Sequence, residues 1–416
     1  MDHSDFPALL IALVAVILTT KVLGELAQRL GQPTVLGELL AGVLLGASVL
    51  GVLDPRDPVI HALSEIGVLV LLFEIGLHTD VRSLARVGGV SLTVASVGVA
   101  LPFALGYLVA TMLGIATLPA IVCGAALTAT SVGISARVLS DLGQLERPEG
   151  QIVLGAAVID DVIGLIILSV VAQIVAGGTV DAWMISKTTL IAVGFIGIAL
   201  FAGKAVAPGL FRGIERIRVS GALGLIALAF AFLLAWLAAK AGSATIIGAF
   251  AAGLILHPTP QRAQIERATT TLGHFFVPIF FAAVGASVDV RKFADTGMLA
   301  AGAALTLVGI LGKVAAGYAP WWFSGRKLLI GVAMVPRGEV GLIFAQMGLL
   351  SGALTPVLFS ALTLMVMVTT FLTPPVLAKL VRADQRGDPL DRPGEGGIDD
   401  LVAGTRADET PNTPIH

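Results

Sequence analysis

Residues 34–46 read TVLGELLAGVLLG, and 211 positions later residues 245–257 read TIIGAFAAGLILH, with Gly37/Gly248 and Gly42/Gly253 in step. Two further segments return in the same order at nearly the same spacing. FEIGLHTDV (73–81) matches AAVGASVDV (282–290), aligning Gly76 with Gly285 and Asp80 with Asp289 at an offset of 209. TSVGI (130–134) matches GEVGL (338–342) at an offset of 208. Each match alone is weak, but three in one order mark an internal repeat.

The setting of that repeat is a membrane. The 416 residues are 56% hydrophobic and only 13% charged, with a mean hydropathy of +0.94. Soluble domains carry roughly 25% charged residues, and apolar runs long enough to cross a ~30 Å hydrocarbon core recur along the whole chain. Thirteen spans are expected, at about 6–22, 34–52, 59–77, 88–113, 118–139, 151–176, 185–209, 221–239, 243–257, 272–288, 297–319, 327–349 and 354–378. The acidic start, MDHSD, lacks the basic region of a signal peptide, so the first span is expected to be retained. Loops after odd-numbered spans hold sixteen Lys and Arg residues against five on the other side. That bias places the N-terminus outside and the C-terminus in the cytoplasm of a multi-pass plasma (inner) membrane protein. Residues 1–382 form the membrane domain. From about 383 the acidic, Pro- and Gly-rich composition predicts a disordered cytoplasmic tail. The single cysteine, Cys123, lies in a span as a small packing residue and excludes an intramolecular disulfide. No Walker A motif, zinc spacing or catalytic serine motif is present, so neither an enzyme nor a nucleic-acid binder is expected.

Repeat-related spans are seven apart, an odd number, so the second copy (about 243–378) crosses the membrane in the opposite sense to the first (about 34–176). Inverted-topology repeats of this kind build many secondary transporters, with the substrate site near the midplane. The third match lies where such folds place discontinuous helices. LTATSVGIS (127–135) carries Thr, Ser and Gly, and VPRGEVG (335–341) carries Pro336 and two glycines, all of which weaken a helix. Breaks at membrane depth persist only where the freed backbone groups face protein or a water-filled cavity. Small residues also let helices pack closely. Their occurrence at repeat-related positions favours two crossing broken helices.

Ionisable residues inside spans are few and expensive. Glu65 comes early in its span, within reach of the interface, and Glu38 near the start of its own suits a structural role. Glu74 lies deeper, close to the inner end of the third span, and is a candidate supporting charge on the ion path. Arg337 and Glu339 sit on the second broken segment, where they neutralise exposed helix ends and each other. Asp160 and Asp161, in AAVIDDVIGLIILS (156–169), stand side by side in an apolar run. Adjacent helical residues point ~100° apart, so one can satisfy a buried cation while the other faces a cavity. Lys313, the only lysine deep in a span, is the natural partner for one of them. Two purely structural ion pairs, with Lys313 and Arg337, are the plainer alternative. A midplane carboxylate with Thr128, Thr130 and Ser131 beside it offers the oxygen ligands a hard monovalent cation prefers. The same carboxylate binds either a proton or a cation, which suffices for exchange if it faces each side in turn.

GQPTVLGELLAGVLLG, LTATSVGISARVLSDLG, AAVIDDVIGL, the Lys313 span and MVPRGEVGLIFA together resemble the monovalent cation:proton antiporter-2 family, closest to its NapA-type Na⁺/H⁺ antiporters, over about residues 10–380. The resemblance implies the sodium/proton antiporter fold, thirteen transmembrane helices in a dimerisation domain and a mobile core domain, a homodimer, and elevator-like alternating access. It implies that Asp161 binds Na⁺ or Li⁺ in competition with H⁺, that Asp160 is salt-bridged to Lys313, and that Thr128–Ser131 form the unwound helix beside the site. It further implies electrogenic exchange, with no cofactor beyond the transported ions. Kef-type potassium relatives carry a different residue before the equivalent of Asp161, so K⁺/H⁺ exchange ranks second. A Na⁺-coupled solute symporter needs polar groups for its solute, of which the helix breaks show few. A gated channel fits poorly with a buried Asp–Lys pair.

Overall fold

The computed structural model describes residues 5–175, 222–242, 244–288 and 296–387, with the single positions 183, 186, 190, 194 and 197. The described residues are almost entirely helical. The helices are α1 (Asp5–Arg29), α2 (Thr34–Leu45), α3 (Pro58–His78), α4 (Val81–Arg86), α5 (Gly88–Met112), α6 (Thr117–Ala126), α7 (Val132–Asp141) and α8 (Pro148–Val175). Across the undescribed stretch follow α9 (Ala222–Lys240), α10 (Thr245–Leu256), α11 (Arg262–Ala286), α12 (Thr296–Tyr318), α13 (Lys327–Ala333), α14 (Glu339–Leu350) and α15 (Pro356–Gly387).

Eight of these, α1, α3, α5, α8, α9, α11, α12 and α15, are long and apolar enough to cross a membrane. With α2, α10 and the broken pairs α6–α7 and α13–α14, the described residues carry twelve of the thirteen expected spans. The remaining span, 185–209, falls almost wholly outside them, as do Asp289 and the loop charges Lys187, Lys204, Arg212, Arg216, Arg218, Arg291 and Lys292. Local chemistry sets the helix starts. Asp57 caps α3 by accepting from the Val59 and Ile60 N–H groups at 2.8 and 3.1 Å, and Pro58 occupies the first turn, where its missing N–H is harmless.

The span expected over 34–52 is helical only as far as Leu45. Gly46 and Gly51 (φ +66°) turn the chain, and Leu53 folds back to donate to the Leu45 carbonyl at 2.9 Å. Hydropathy could not reveal this, because the folded-back residues are as apolar as a helix. α15 also differs from expectation: it continues to Gly387, past the expected tail boundary at 383, and residues 388–416 lie outside the description.

The helices pack as two bundles. α1, α2 and α3 join α9, α10 and α11 in bundle one, whereas α5–α8 join α12–α15 in bundle two. Bundle one owes its tight crossings to the repeated glycines. A side chain at Gly42 would collide with the Ala282 carbonyl of α11, and one at Gly285 with the Leu39 carbonyl of α2. In the other half, a side chain at Gly253 would meet the Phe73 carbonyl of α3, and one at Gly76 the Phe250 carbonyl of α10. Gly37 against Leu23 and Gly248 against Leu234 repeat the pattern at the α1–α2 and α9–α10 crossings. The matched glycines of the sequence therefore make matched backbone contacts in both halves, as small residues do where membrane helices approach closely. α2 and α3 then lie against α7 and α15, forming the seam between the bundles.

Candidate ion-binding site

Both expected helix breaks occur, and they abut inside bundle two. α6 ends at Ala126 and α7 begins at Val132; α13 ends at Ala333 and α14 begins at Glu339. The freed backbone groups satisfy one another: Ser131 N–H donates to the Pro336 carbonyl (2.9 Å), the Thr130 hydroxyl to Met334 (3.2 Å) and the Ser135 hydroxyl to Ala333 (2.6 Å). Gly338 keeps the crossing close, since a Cβ there would lie 2.9 Å from the Ser131 hydroxyl oxygen and 3.0 Å from its Cβ.

Three buried charges surround the breaks. Lys313 and Arg337 have 0% exposed surface and Asp160 has 1%. Lys313 Nζ lies 3.4 and 3.5 Å from the two Asp160 oxygens, and Oδ2 also accepts the Thr130 N–H at 2.7 Å. Asp160 thus satisfies a lysine and the start of the first break together, an arrangement that offsets the desolvation of a buried pair. Arg337 donates to the Ala129 carbonyl at 3.1 Å and to Gly309 at 3.4 Å. It places positive charge at the carbonyl end of α6, the end where a helix dipole favours a cation. The Arg337 carbonyl in turn accepts the Thr370 hydroxyl at 2.6 Å. Glu339 is the first residue of α14, a position favourable for an acid; its side chain lies outside the description.

Asp161 takes a different direction from Asp160, as its ~100° rotation requires. It lines a cavity of ≈30 Å³ with Thr130, Ser131, Gly133, Gly338 and Val340 on bundle two, and Val68, Leu72, Phe280 and Val284 on bundle one. One water needs about 10–15 Å³, so the space matches a small ion that has lost much of its hydration shell. Asp161 also lies within electrostatic reach of Lys313.

Of the residues singled out from sequence, Asp160, Asp161, Lys313, Thr130, Ser131 and Arg337 converge here. Two others do not. The Thr128 hydroxyl donates to the Ala125 carbonyl of the preceding helix α6 (2.7 Å), and the side chain is fully buried away from the cavity lining. Glu74 is two residues from Leu72, hence ~200° around α3, and its carboxylate packs on Gly273 of α11 inside bundle one. The sequence reading overlooked a second charged group. Arg137 of α7 meets Asp141 at 3.1 Å and Glu38 of α2 at 3.9 Å. Asp141 also faces the Thr34 and Val35 N–H groups, the start of a helix whose N-cap, Pro33, has no side-chain acceptor. Arg382 of α15 donates to the Gly31 carbonyl at the same end. The bundles are therefore pinned at one end of the seam. The available signal was the Arg137/Asp141 spacing of four residues, one turn beyond the break.

This fold of paired breaks around a buried Asp–Lys pair is that of a membrane ion exchanger, and the chain belongs to the family described as sodium/hydrogen exchanger, transmembrane, whose family model matches residues 9–383. The chain is 40% identical to the high-affinity Na⁺/H⁺ antiporter NhaS3 of Synechocystis over 92% of each chain. It is 36% identical to the Na⁺/H⁺-K⁺ antiporter GerN of Bacillus cereus, over 87% of this chain and 93% of that one. Among solved structures, the sodium proton antiporter MjNhaP1 of Methanocaldococcus jannaschii superposes with a TM-score of 0.65, covering 92% of this chain and 100% of the other. At 15% identity this last likeness concerns the fold alone.

Proposed function

We propose that the protein exchanges Na⁺ or Li⁺ for H⁺ across the plasma (inner) membrane, with cation and proton competing for Asp161. The observation that carries this reading is the division of labour between adjacent aspartates: Asp160 is buried against Lys313, whereas Asp161 lines a cavity of ionic size. Thr130 and Ser131 supply further oxygens to the cavity, and the two breaks aim helix ends at it. A carboxylate that has bound a proton no longer attracts a cation, so occupancy by one ion excludes the other.

Alternation uses the two bundles. The lining of the Asp161 cavity comes from both, so sliding bundle two along bundle one changes which side of the membrane the cavity meets. The excess of Lys and Arg on one side assigns the pinned end, with Arg137, Asp141 and Arg382, to the cytoplasm. The same reading has these contacts hold the inner side shut. The reading includes a homodimer, which the family resemblance implies, joined through bundle one. K⁺ in place of Na⁺ is the second reading, favoured by the likeness to GerN.

The test is collapse of an imposed pH gradient in proteoliposomes on adding Na⁺, Li⁺ or K⁺. Wild type collapses it with Na⁺ and Li⁺, and Asp161→Asn does not. A gradient indifferent to all three cations, or an Asp161→Asn protein that behaves as wild type, defeats the reading.

A further inference from the structure

At the end of the seam opposite Arg137 the bundles part around a second cavity, of ≈140 Å³. Its walls include Ser64 and Glu65 of α3, Phe280 and Val284 of α11, and Thr363 and Thr370 of α15. Phe280, Val284 and Gly338 line this cavity and the Asp161 cavity alike, so these residues stand where the two meet. On α3, Glu65, Val68 and Leu72 follow one another at spacings of three and four, along a single helix face. Glu65 lies in the larger cavity, while Val68 and Leu72 wall the smaller. At 1.5 Å per residue the drop from Glu65 to Leu72 is about 10 Å.

Glu65 is half-buried although it lies within reach of the interface, so its carboxylate is held in the cleft instead of being turned fully to solvent. Among the described residues none forms an ion pair with it. The cavity around it combines hydroxyls with the exposed His61 imidazole, one turn earlier on α3, among otherwise mainly apolar walls. Ser64 and Thr363 offer oxygens, and Thr370, whose proton is committed to the Arg337 carbonyl, keeps its oxygen lone pairs for a cation. A carboxylate in a cleft with low-dielectric walls also concentrates counter-ions from solution.

We propose that this cavity is an outer cation site, in which Glu65 holds a hydrated monovalent cation and passes it inward between Phe280 and Val284 to Asp161. The assignment rests on the exchange reading above. Glu65 binds the cation only on its way in: it raises the local concentration of the cation and takes no part in the competition at Asp161. Its effect is therefore one-sided, felt by ions arriving at the outer face and absent for ions arriving from the cytoplasm.

The experiment compares right-side-out and everted vesicles from cells lacking other Na⁺/H⁺ antiporters. Glu65→Gln raises the half-saturating Na⁺ concentration at the outer face about threefold, the size expected for one charge ~10 Å from the ion in a partly aqueous cleft. It leaves the inner-face value and the maximal rate unchanged, and Glu65→Asp restores most of the loss. A second measurement does not depend on that variant folding. In a Cys123→Ala background, free of the one buried native thiol, Val284→Cys reacts with an impermeant cationic thiol reagent added outside, and Na⁺ slows the reaction. An unchanged outer-face half-saturation in Glu65→Gln, an equal shift on both faces, or labelling of Val284→Cys only from inside overturns the outer site. Wild-type vesicles without any cation-dependent exchange instead overturn the reading on which it rests.

Discussion

The crossings of bundle one and the crossing of the two breaks in bundle two are built on opposite terms. In bundle one, Gly42 with Gly285 and Gly253 with Gly76 bring helix backbones into direct contact, and the two halves of the chain do this alike. In bundle two the breaks abut through hydrogen bonds and charges, and the halves differ. Arg337 follows Pro336 in the second break, whereas the residue 208 positions earlier is Ala129. The same offset carries Asp160 and Asp161 to Val368 and Thr369, and Lys313 back to Leu105. A symmetric scaffold thus supports an asymmetric site. The scaffold needs only close approach, which the repeat supplies twice. The site needs a single charge arrangement, and a second copy would place four more charges in the membrane at a cost of ~2.5–3.5 kcal/mol each even on insertion scales.

If this division holds, changes at the site abolish transport while sparing the fold, and changes at the scaffold do the reverse. The largest effect is at Asp161. Asp161→Asn keeps the shape of the side chain and removes its charge, so cation-dependent collapse of a pH gradient falls to the level of empty liposomes while the protein stays monodisperse in detergent. An Asp161→Asn protein that unfolds would place Asp161 with the structural charges instead.

Asp160 and Lys313 come next, because they belong to site and fold together. Breaking a buried pair by removing one partner costs about 3–5 kcal/mol. Lys313→Met and Asp160→Asn each lower the midpoint of thermal unfolding by that equivalent, and the double variant recovers a large part. Additive losses in the cycle would show that the 3.4 Å contact carries no coupling. Lys313→Gln also reduces the membrane-potential dependence of exchange more than it reduces cation affinity. Voltage dependence equal to wild type would remove Lys313 from the proton path.

Gly285→Val probes the scaffold. The added methyls meet the Leu39 carbonyl across the α2–α11 crossing, and overpacking of this kind costs about 1–3 kcal/mol or more. The loss appears in thermal stability and yield, whereas the half-saturating cation concentration of the surviving protein stays within about twofold of wild type, as additivity between separated sites requires. Gly76→Val, the repeat-related change, matches it at the α3–α10 crossing. A large stability difference between the two would break the symmetry argument.

These contrasts follow how much could be read in advance. The glycine contacts were legible because close helix approach tolerates no other residue, so the spacing survives in both repeats. The breaks were legible for a related reason, as Pro336 and the Gly and Ser of TSVGI leave few other uses for those segments. The Asp160–Lys313 pair was legible because each charge is too costly alone in an apolar span. The facing of Thr128 and Glu74 was not. Once α6 ends, five non-helical residues intervene before α7, and helical phase no longer tells which hydroxyl reaches the cavity. Glu74 needed the packing of α3 against α11, which no local pattern records. The pin at Arg137 was missed because Glu38, which pairs with Arg137, and the Thr34 N–H, which faces Asp141, lie about a hundred residues away on another bundle.

The smallest expected effect separates the two kinds of polar residue inside the break itself. Thr128 and Ser131 are three positions apart and chemically similar, yet the Thr128 hydroxyl is turned onto the Ala125 carbonyl while Ser131 lines the Asp161 cavity. Thr128→Val removes one hydrogen bond of a buried acceptor and costs about 1 kcal/mol of stability. It leaves the half-saturating Na⁺ and Li⁺ concentrations as they were, because no cavity oxygen is lost. Ser131→Ala removes a hydroxyl oxygen from the cavity wall and leaves the stability near wild type. The half-saturating concentrations then rise several-fold, and more for Li⁺ than for Na⁺, since the smaller ion depends more on each close oxygen. Measured side by side, the pair of variants assigns the ligands of the break. If Thr128→Val weakens cation affinity as much as Ser131→Ala does, the break rearranges when the ion binds, and Thr128 rejoins the site that the sequence alone had suggested for it.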